Sequence, residues 1–345
     1  MKETEMLPLV VGIPGTTLNG DDRALLEKVR PAGVILFSRN IETPEQTREL
    51  VTALEDLDPR PFVTADLEGG MVNRLSALWG DLPKPAESAG AGRRAVKTLG
   101  EAAGAACRSL GIQLDLAPVV DLDCPGGCLG GQGRCLGSDP DRVVVLARIF
   151  NEGLRKWGAS GCSKHFPGLG PVPADTHEEL PVLESDEEGL GRQINVFEEL
   201  GTEFPAVMVA HVIAPGLGDA ERPASLSRTV VEQATNLSGS PVVLADDLEM
   251  GALGEWGDLP DRILSAVHAR NHGLLICNAC DRIDEIASHL RESAGADPTI
   301  AARLVEMNAR MGTLARDLHQ RAAAVPAPDD ETVDQLWEQA RRKAG

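Results

Sequence analysis

A chain of 345 residues is long enough for one large α/β barrel or two ordinary domains, and 42% hydrophobic residues provide for a sizeable core rather than disorder. Lys and Arg number 33 against 53 Asp and Glu, and the resulting net charge of −20 argues against nucleic acid and anionic membrane surfaces as partners while leaving neutral substrates open. No apolar run reaches the roughly 18 residues that span a bilayer, and Met1–Met6 is short and charged rather than an export signal, so the expectation is a soluble cytoplasmic protein with no membrane partner.

Taken in order, the chain alternates two kinds of segment. Apolar runs without alternation, as in strands buried on both faces, occupy Leu7–Ile13, Gly33–Ser38, Pro61–Asp66, Gln113–Val120, Gly161–Phe166, Ala206–Ile213, Pro241–Asp246 and Gly273–Cys277. Amphipathic stretches that predict helices follow them in turn: Asp22–Arg30, Pro44–Leu57, Arg93–Leu110, Asp139–Trp157, Asp186–Leu200, Arg228–Asn236, Pro260–Asn271 and Asp281–Ala294. Thr43 and Ser138 are the expected helix N-caps, with Pro44 at a first helical position. Strand then helix, eight times over, predicts a (β/α)₈ TIM barrel in a single domain. An open doubly wound sheet is the alternative, but neither GxGxxG nor GxxxxGK[ST] occurs to give it nucleotide chemistry. Two further helices are expected, Pro298–Leu318 and Asp330–Lys343, with an Ala/Pro linker at Ala322–Pro328. Residues 1–320 are thus the barrel, and 321–345 a linker and C-terminal helix.

Polar residues fall at the ends of the predicted strands. Asp66 closes the third, Lys164 and His165 the fifth, His211 the sixth and Asp246 the seventh. In a barrel these ends meet on one face, where the active site lies. Asp66 suits sugar hydroxyls, whereas Glu68 is read as a structural partner of Arg74. Arg134, in a glycine-rich loop, carries a planar fork of donors that can reach inward. After Lys164-His165-Phe166-Pro167-Gly168-Leu169-Gly170 comes Asp175-Thr176-His177, in which the aspartate can orient the histidine and raise its basicity for proton transfer. Of Asp246 and Asp247, alternation along a strand lets one face the mouth. Asp246 is the candidate nucleophile and Asp247 a helix cap. The seven cysteines match no four-ligand metal pattern and are read as free thiols.

Together these segments resemble the signature of family 3 glycoside hydrolases, in the single-domain β-N-acetylhexosaminidase branch. Lys164–Gly168, Asp175–His177 and Leu180-Pro181 carry the resemblance, joined by Asp66–Arg74, Gly133-Arg134, Gly137–Pro140, Met208–His211, Pro223–Ser227 and Ala245–Met250. The resemblance, over roughly residues 8 to 290, implies retaining removal of terminal β-linked N-acetylglucosamine, with peptidoglycan fragments as the source. It implies no metal and no cofactor. It makes Asp246 the nucleophile, His177 the general acid/base assisted by Asp175, and Asp66, Arg134, Lys164 and His165 the sugar-binding residues; His211 joins them as a candidate from its place at a strand end. The sequence departs from the family at Leu169 (usually His), Pro171-Val172 (Asp-Thr), Met71 (Arg), Leu67 (Gln) and Cys135-Leu136. Gly168 and Gly170 are the expected hinges that swing His177 inward. Two alternatives stand beside hydrolysis: a β-glycoside phosphorylase, since a histidine acid/base repels phosphate less than a carboxylate, and a catalytically idle sugar-binding barrel. The expected partner is a small-molecule or oligosaccharide substrate, and the expected state a monomer or weak homo-oligomer.

Overall fold

The computed structural model describes residues 5–173, 180–184 and 186–344. Eight parallel strands close into a barrel whose neighbours follow chain order: β1 (Leu7–Gly12), β2 (Pro31–Leu36), β3 (Phe62–Ala65), β4 (Leu114–Asp115), β5 (Ser160–Phe166), β6 (Ala206–Val209), β7 (Val242–Ala245) and β8 (Gly273–Ile276). Closure comes from β1, which pairs in parallel with both β2 and β8, Val10 opposite Gly33 on one side and Leu275 on the other. All eight predicted strands are present.

Where their ends differ from expectation, a local cause is visible. The fourth run keeps only Leu114–Asp115 in the ladder because Pro118 lacks an N–H; the chain still runs beside β5 through a Val119–Lys164 bridge and a hydrogen bond from Val120 N to Lys164 O of 2.8 Å. The second run ends at Leu36, since the Asn40 side chain accepts from Phe37 N at 2.9 Å and turns Ser38–Asn40 into a short 3₁₀ helix. The sixth stops at Val209, and Ile213–Ala214 instead pairs antiparallel with Asp219–Pro223.

Helices follow the strands: α1 (Gly20–Val29), α2 (Pro44–Glu55), α3 (Arg93–Leu110), α4 (Pro140–Lys156), α5 (Glu187–Leu200), α6 (Arg228–Thr235), α7 (Leu259–His268) and α8 (Ile283–Ala296). Thr43 caps α2 through Gln46 N at 3.1 Å, as expected. The cap of α4 is Asp139, not Ser138: its carboxylate accepts from Arg142 N at 2.9 Å, and Pro140 takes the first helical position that a cap at Asp139 leaves for it.

Two further helices finish the chain. α9 (Pro298–Ala323) runs through the first residues expected of the linker. It packs Met311, Leu314, Ala315 and Leu318 against barrel-interior side chains such as Phe62, Leu114, Ala206 and Leu244, closing the N-terminal end of the barrel. Gly273, at the start of β8, leaves the room that Met311 fills. α10 (Asp330–Ala344) buries Val333 and Trp337 near α3, and Trp337 packs against Trp79 at a 43° tilt with centroids 5.5 Å apart. With the bottom plugged, the open end is the C-terminal one. Among the described residues, no helix is long and apolar enough to cross a membrane.

Candidate active site

At the C-terminal end of the barrel lies a cavity of about 280 Å³ whose charged wall includes Asp66, Glu68, Arg134, Lys164, His165 and Asp246. The residue after β3 supplies Asp66, and the short hairpin Leu67–Gly69/Val72–Asn73 that follows supplies Glu68. β5 supplies Lys164 and His165, both lining the cavity although adjacent; the pairing with β6 shifts register between Lys164 and Phe166, and the Lys164–His165 peptide is cis.

Four of these groups form a continuous charge network. Lys164 Nζ lies 2.9 Å from Asp66 Oδ1 and 2.6 Å from Glu68 Oε1. Arg134 grips Glu68 with two parallel bonds, Nε to Oε2 and Nη2 to Oε1, both 2.8 Å, the fork geometry that distinguishes arginine. Arg74 reaches Asp66 Oδ2 at 3.3 Å from the rim. Burial alone would push both carboxyls up, but the Lys164 ammonium with Arg74 holds Asp66 well below the usual carboxylate range, and Lys164 with Arg134 holds Glu68 down to about 2. Burial would likewise neutralise Lys164, yet Asp66 and Glu68 raise it above its ordinary value. The site therefore presents fixed charges and oriented donors, which is what recognition of several sugar hydroxyls needs.

Glu68 is thus not the partner of Arg74 that the sequence suggested. Arg74 pairs with Asp66, while Glu68, 2% exposed, joins the two cations that the sequence singled out. Behind them, Asp121 is fully buried and holds the start of the loop after β5. Its Oδ2 accepts from His165 N at 3.1 Å and lies 2.8 Å from His165 Nδ1; its Oδ1 accepts from Leu169 N at 2.7 Å. A carboxylate there fixes the imidazole with Nδ1 protonated and turns Nε2 outward. Sequence reasoning passed over Asp121 because it stands one residue beyond the fourth apolar run. Its signal was that position, a carboxylate at a fourth strand end alongside Asp66, Lys164 and Asp246.

Gly168 and Gly170, the expected hinges, are both points of close approach. A Cβ on Gly168 would collide with the Gln193 side chain, and one on Gly170 with the Leu122 carbonyl. Gly127 sits equally close against Gly170, and Cys128 N donates to Val172 O at 2.8 Å. These glycines permit close approach, and they clamp the loop through Val172. On the far side, Pro181 and Leu183 pair with Ile213 through bonds of 2.9 and 2.8 Å. Asp175 and His177 fall between these anchors and lie outside the described residues. Leu169 and Val172 give the same wall apolar surface.

Asp246 follows β7 and lines the cavity opposite the charge network; Asp247 N donates to its Oδ1 at 2.8 Å. Asp247 also lines the cavity, so the alternation expected of a strand ends at Ala245. Nor does Asp247 cap a helix. Its carboxyl accepts from Glu249 N at 3.2 Å and from Cys277 N at 3.3 Å, and only a 3₁₀ turn at Gly251–Leu253 intervenes before α7. Burial and then the neighbouring Glu249 charge push it up to about 7. His211 is fully buried and absent from the cavity wall; its Nδ1 meets Ser225 Oγ at 2.7 Å and its Nε2 meets Asp247 O at 2.8 Å. The structure thus brings Asp66, Arg134, Lys164, His165 and Asp246 together and sets His211 behind them. All seven thiols are free.

Comparison with known proteins agrees with this picture. The model of the glycosyl hydrolase family 3 N-terminal domain matches residues 4–307. A β-hexosaminidase of Alkalilimnicola ehrlichii is 35% identical over 315 residues, covering 88% of this chain and 89% of its own length. One from Pseudomonas aeruginosa is 35% identical over 277 residues, 78% of this chain and 82% of its own. Among solved structures, a family 3 β-N-acetylglucosaminidase from Paenibacillus superposes with a TM-score of 0.84 at 26% identity, over 99% of this chain and 68% of that one. Native NagZ from Neisseria gonorrhoeae superposes at 0.77 with 25% identity, over 100% and 98%. With a closed eight-stranded barrel, a carboxylate-rich cavity at its C-terminal mouth and a family match over most of its length, the chain belongs to glycosyl hydrolase family 3 and is a glycoside hydrolase.

Proposed function

We propose that the protein is a retaining exo-β-N-acetylglucosaminidase of the cytoplasm, acting on terminal β-linked N-acetylglucosamine of peptidoglycan fragments through a covalent glycosyl–Asp246 intermediate. One observation carries the reading: Asp246 shares a single cavity with Asp66, Glu68, Arg134, Lys164 and His165. The charge network holds the sugar by its hydroxyls and fixes its anomeric carbon over Asp246. Asp246 attacks that carbon as the glycosidic bond breaks, and His177, assisted by Asp175, protonates the departing oxygen. His177 then takes a proton from water, which hydrolyses the ester and restores the anomeric configuration. Retention by this route sets the two catalytic groups about 5–5.5 Å apart in the working complex. The β-hexosaminidase relatives support the choice of sugar.

The test is a panel of aryl β-glycosides (N-acetylglucosaminide, glucoside, xyloside) with mass detection of a trapped glycosyl peptide. Preferred release from the N-acetylglucosaminide, a label on the peptide containing Asp246 and loss of turnover in Asp246→Ala are expected. A label elsewhere, or turnover by Asp246→Ala, overturns the mechanism; N-acetylglucosamine 1-phosphate appearing when phosphate is added makes the protein a phosphorylase instead.

A further inference from the structure

Asp246 is the first residue beyond its strand, where a chain end is ordinarily free to shift, yet its segment is tied on both sides. Asp246 N donates to Val209 O of β6 at 3.1 Å, and Leu248 N donates to Leu275 O of β8 at 3.1 Å. The peptide between Asp247 and Leu248 is therefore held at its N–H end by β8. Its other end, the Asp247 carbonyl, accepts from Met250 N at 3.0 Å within the turn and meets His211 Nε2 at 2.8 Å from the barrel side. A carbonyl oxygen can only accept, so Nε2 carries the proton. The other ring nitrogen, Nδ1, lies 2.7 Å from the Ser225 hydroxyl, which orients the ring from its far side. Ser225 is itself fully buried, and its backbone oxygen accepts from Asn271 Nδ2 at 2.8 Å. The line Asn271–Ser225–His211–Asp247 ends one residue from the carboxylate, and Asp247 N closes it with the 2.8 Å bond to Asp246 Oδ1.

We infer that His211 and Ser225 are positioning residues for the Asp246 carboxylate: the imidazole pins the Asp247 carbonyl and, across the Asp247 Cα, steadies the preceding peptide, whose N–H orients Asp246. The inference rests on Asp246 being the nucleophile. Its consequence is a division of labour. Among the described residues His211 does not line the cavity with Asp66, Glu68, Arg134 and Lys164, so its loss leaves those four groups in place. A carboxylate misplaced by about 1 Å slows chemistry by up to roughly 100-fold, and that slowing belongs to kcat.

The experiment compares His211→Phe, which keeps a ring without a donor, with His211→Gln, whose side-chain amide can still donate to the carbonyl, and Ser225→Ala. On an aryl β-N-acetylglucosaminide, His211→Phe is expected to lose about 10- to 100-fold in kcat with KM nearly unchanged. The rate of glycosyl-peptide trapping should fall in parallel, and His211→Gln should recover much of the loss. Equal losses in Phe and Gln variants, a fall shared between kcat and KM, or an undiminished kcat overturns the assignment. If His211→Phe does not fold, Ser225→Ala decides: a lower kcat at unchanged KM is expected, and wild-type kcat refutes. Asp246→Ala, run alongside, separates the two readings, because turnover in that variant refutes the nucleophile itself.

Discussion

Replacing Glu68 with Gln removes one charge from a network whose four buried members balance, with Arg74 beside them on the rim. Asp66 and Glu68 face Lys164 and Arg134; Lys164 and Glu68 are 3% and 2% exposed, so solvent screens little of the imbalance. Glutamine keeps the shape but leaves Lys164 and Arg134 sharing a single carboxylate. Breaking a buried ion pair by removing one partner costs about 3–5 kcal/mol. Unfolding entropy of about 2.1 cal/mol/K per residue gives roughly 0.7 kcal/mol/K for a chain of this length, so the melting temperature should fall by about 4–7 °C at neutral pH. The sign with pH follows from the shift. Glu68 is depressed from 4.5 to about 2, so its contribution is complete above about pH 4.5 and disappears as pH falls through about 2. The gap between wild type and Glu68→Gln should close over that window. Adding Lys164→Met to Glu68→Gln restores the balance and should recover most of the stability without recovering activity, since Lys164 is proposed to bind the sugar. Calorimetry on the three proteins, with kcat/KM on an aryl β-N-acetylglucosaminide, tests this. A fall in Tm below about 1 °C for the single variant, or strictly additive losses in the double, would refute the network as described.

Asp247→Asn should stabilise the protein in a pH-dependent way: the carboxyl is raised from 3.8 to about 7, so the wild type loses stability as pH rises between those values, and the variant's advantage should grow from near zero at pH 4 to on the order of 2–4 kcal/mol above pH 7 by denaturant unfolding. Gly170→Ala places a methyl against the Leu122 carbonyl and should displace the strap that leads to His177, lowering kcat/KM by at least about tenfold alongside a stability loss of about 1–3 kcal/mol. Trp337→Ala should cost about 3–5 kcal/mol in a denaturant melt, because a side chain 1% exposed loses its packing against Trp79 and its hydrogen bond to Gly80 O.

Sequence legibility differed by type of feature. Strands buried on both faces write themselves as continuous apolar runs, and all eight were found; their ends were missed where a side chain or a proline, not hydrophobicity, stops the ladder, as Asn40 and Pro118 do. The placement of Asp66, Lys164, His165 and Asp246 around one cavity followed from strand-end logic, because the barrel gathers those ends, while Arg134 was read from its glycine-rich loop. What the sequence left unreadable was pairing. Glu68 sits six residues from Arg74 and 66 from Arg134, and local spacing favours the near partner, whereas the hairpin between β3 and α3 turns the carboxylate toward the distant one. Glycine was ambiguous for a related reason: the same residue serves as a hinge or as a close-contact surface, and the Leu122 and Gln193 atoms that crowd Gly170 and Gly168 come from distant segments.

The supporting contacts also separate along the barrel wall. The proposed recognition groups sit after β3, on β5 and in the loop before α4, and they support one another directly: Lys164 bridges Asp66 and Glu68, Arg134 clamps Glu68, and Asp121 holds His165. Asp246 stands across the cavity on a segment tied to β6 and β8 and shares none of those bonds. Side chains in one network couple strongly, while networks with no shared partner act nearly independently. Substitutions in the first should therefore move KM and stability together, those around His211 should move kcat, and a double variant such as Glu68→Gln with Ser225→Ala should combine additively. Coupling well above about 0.5 kcal/mol between the two would mean that the charge network and the support of the proposed nucleophile are one structure rather than two.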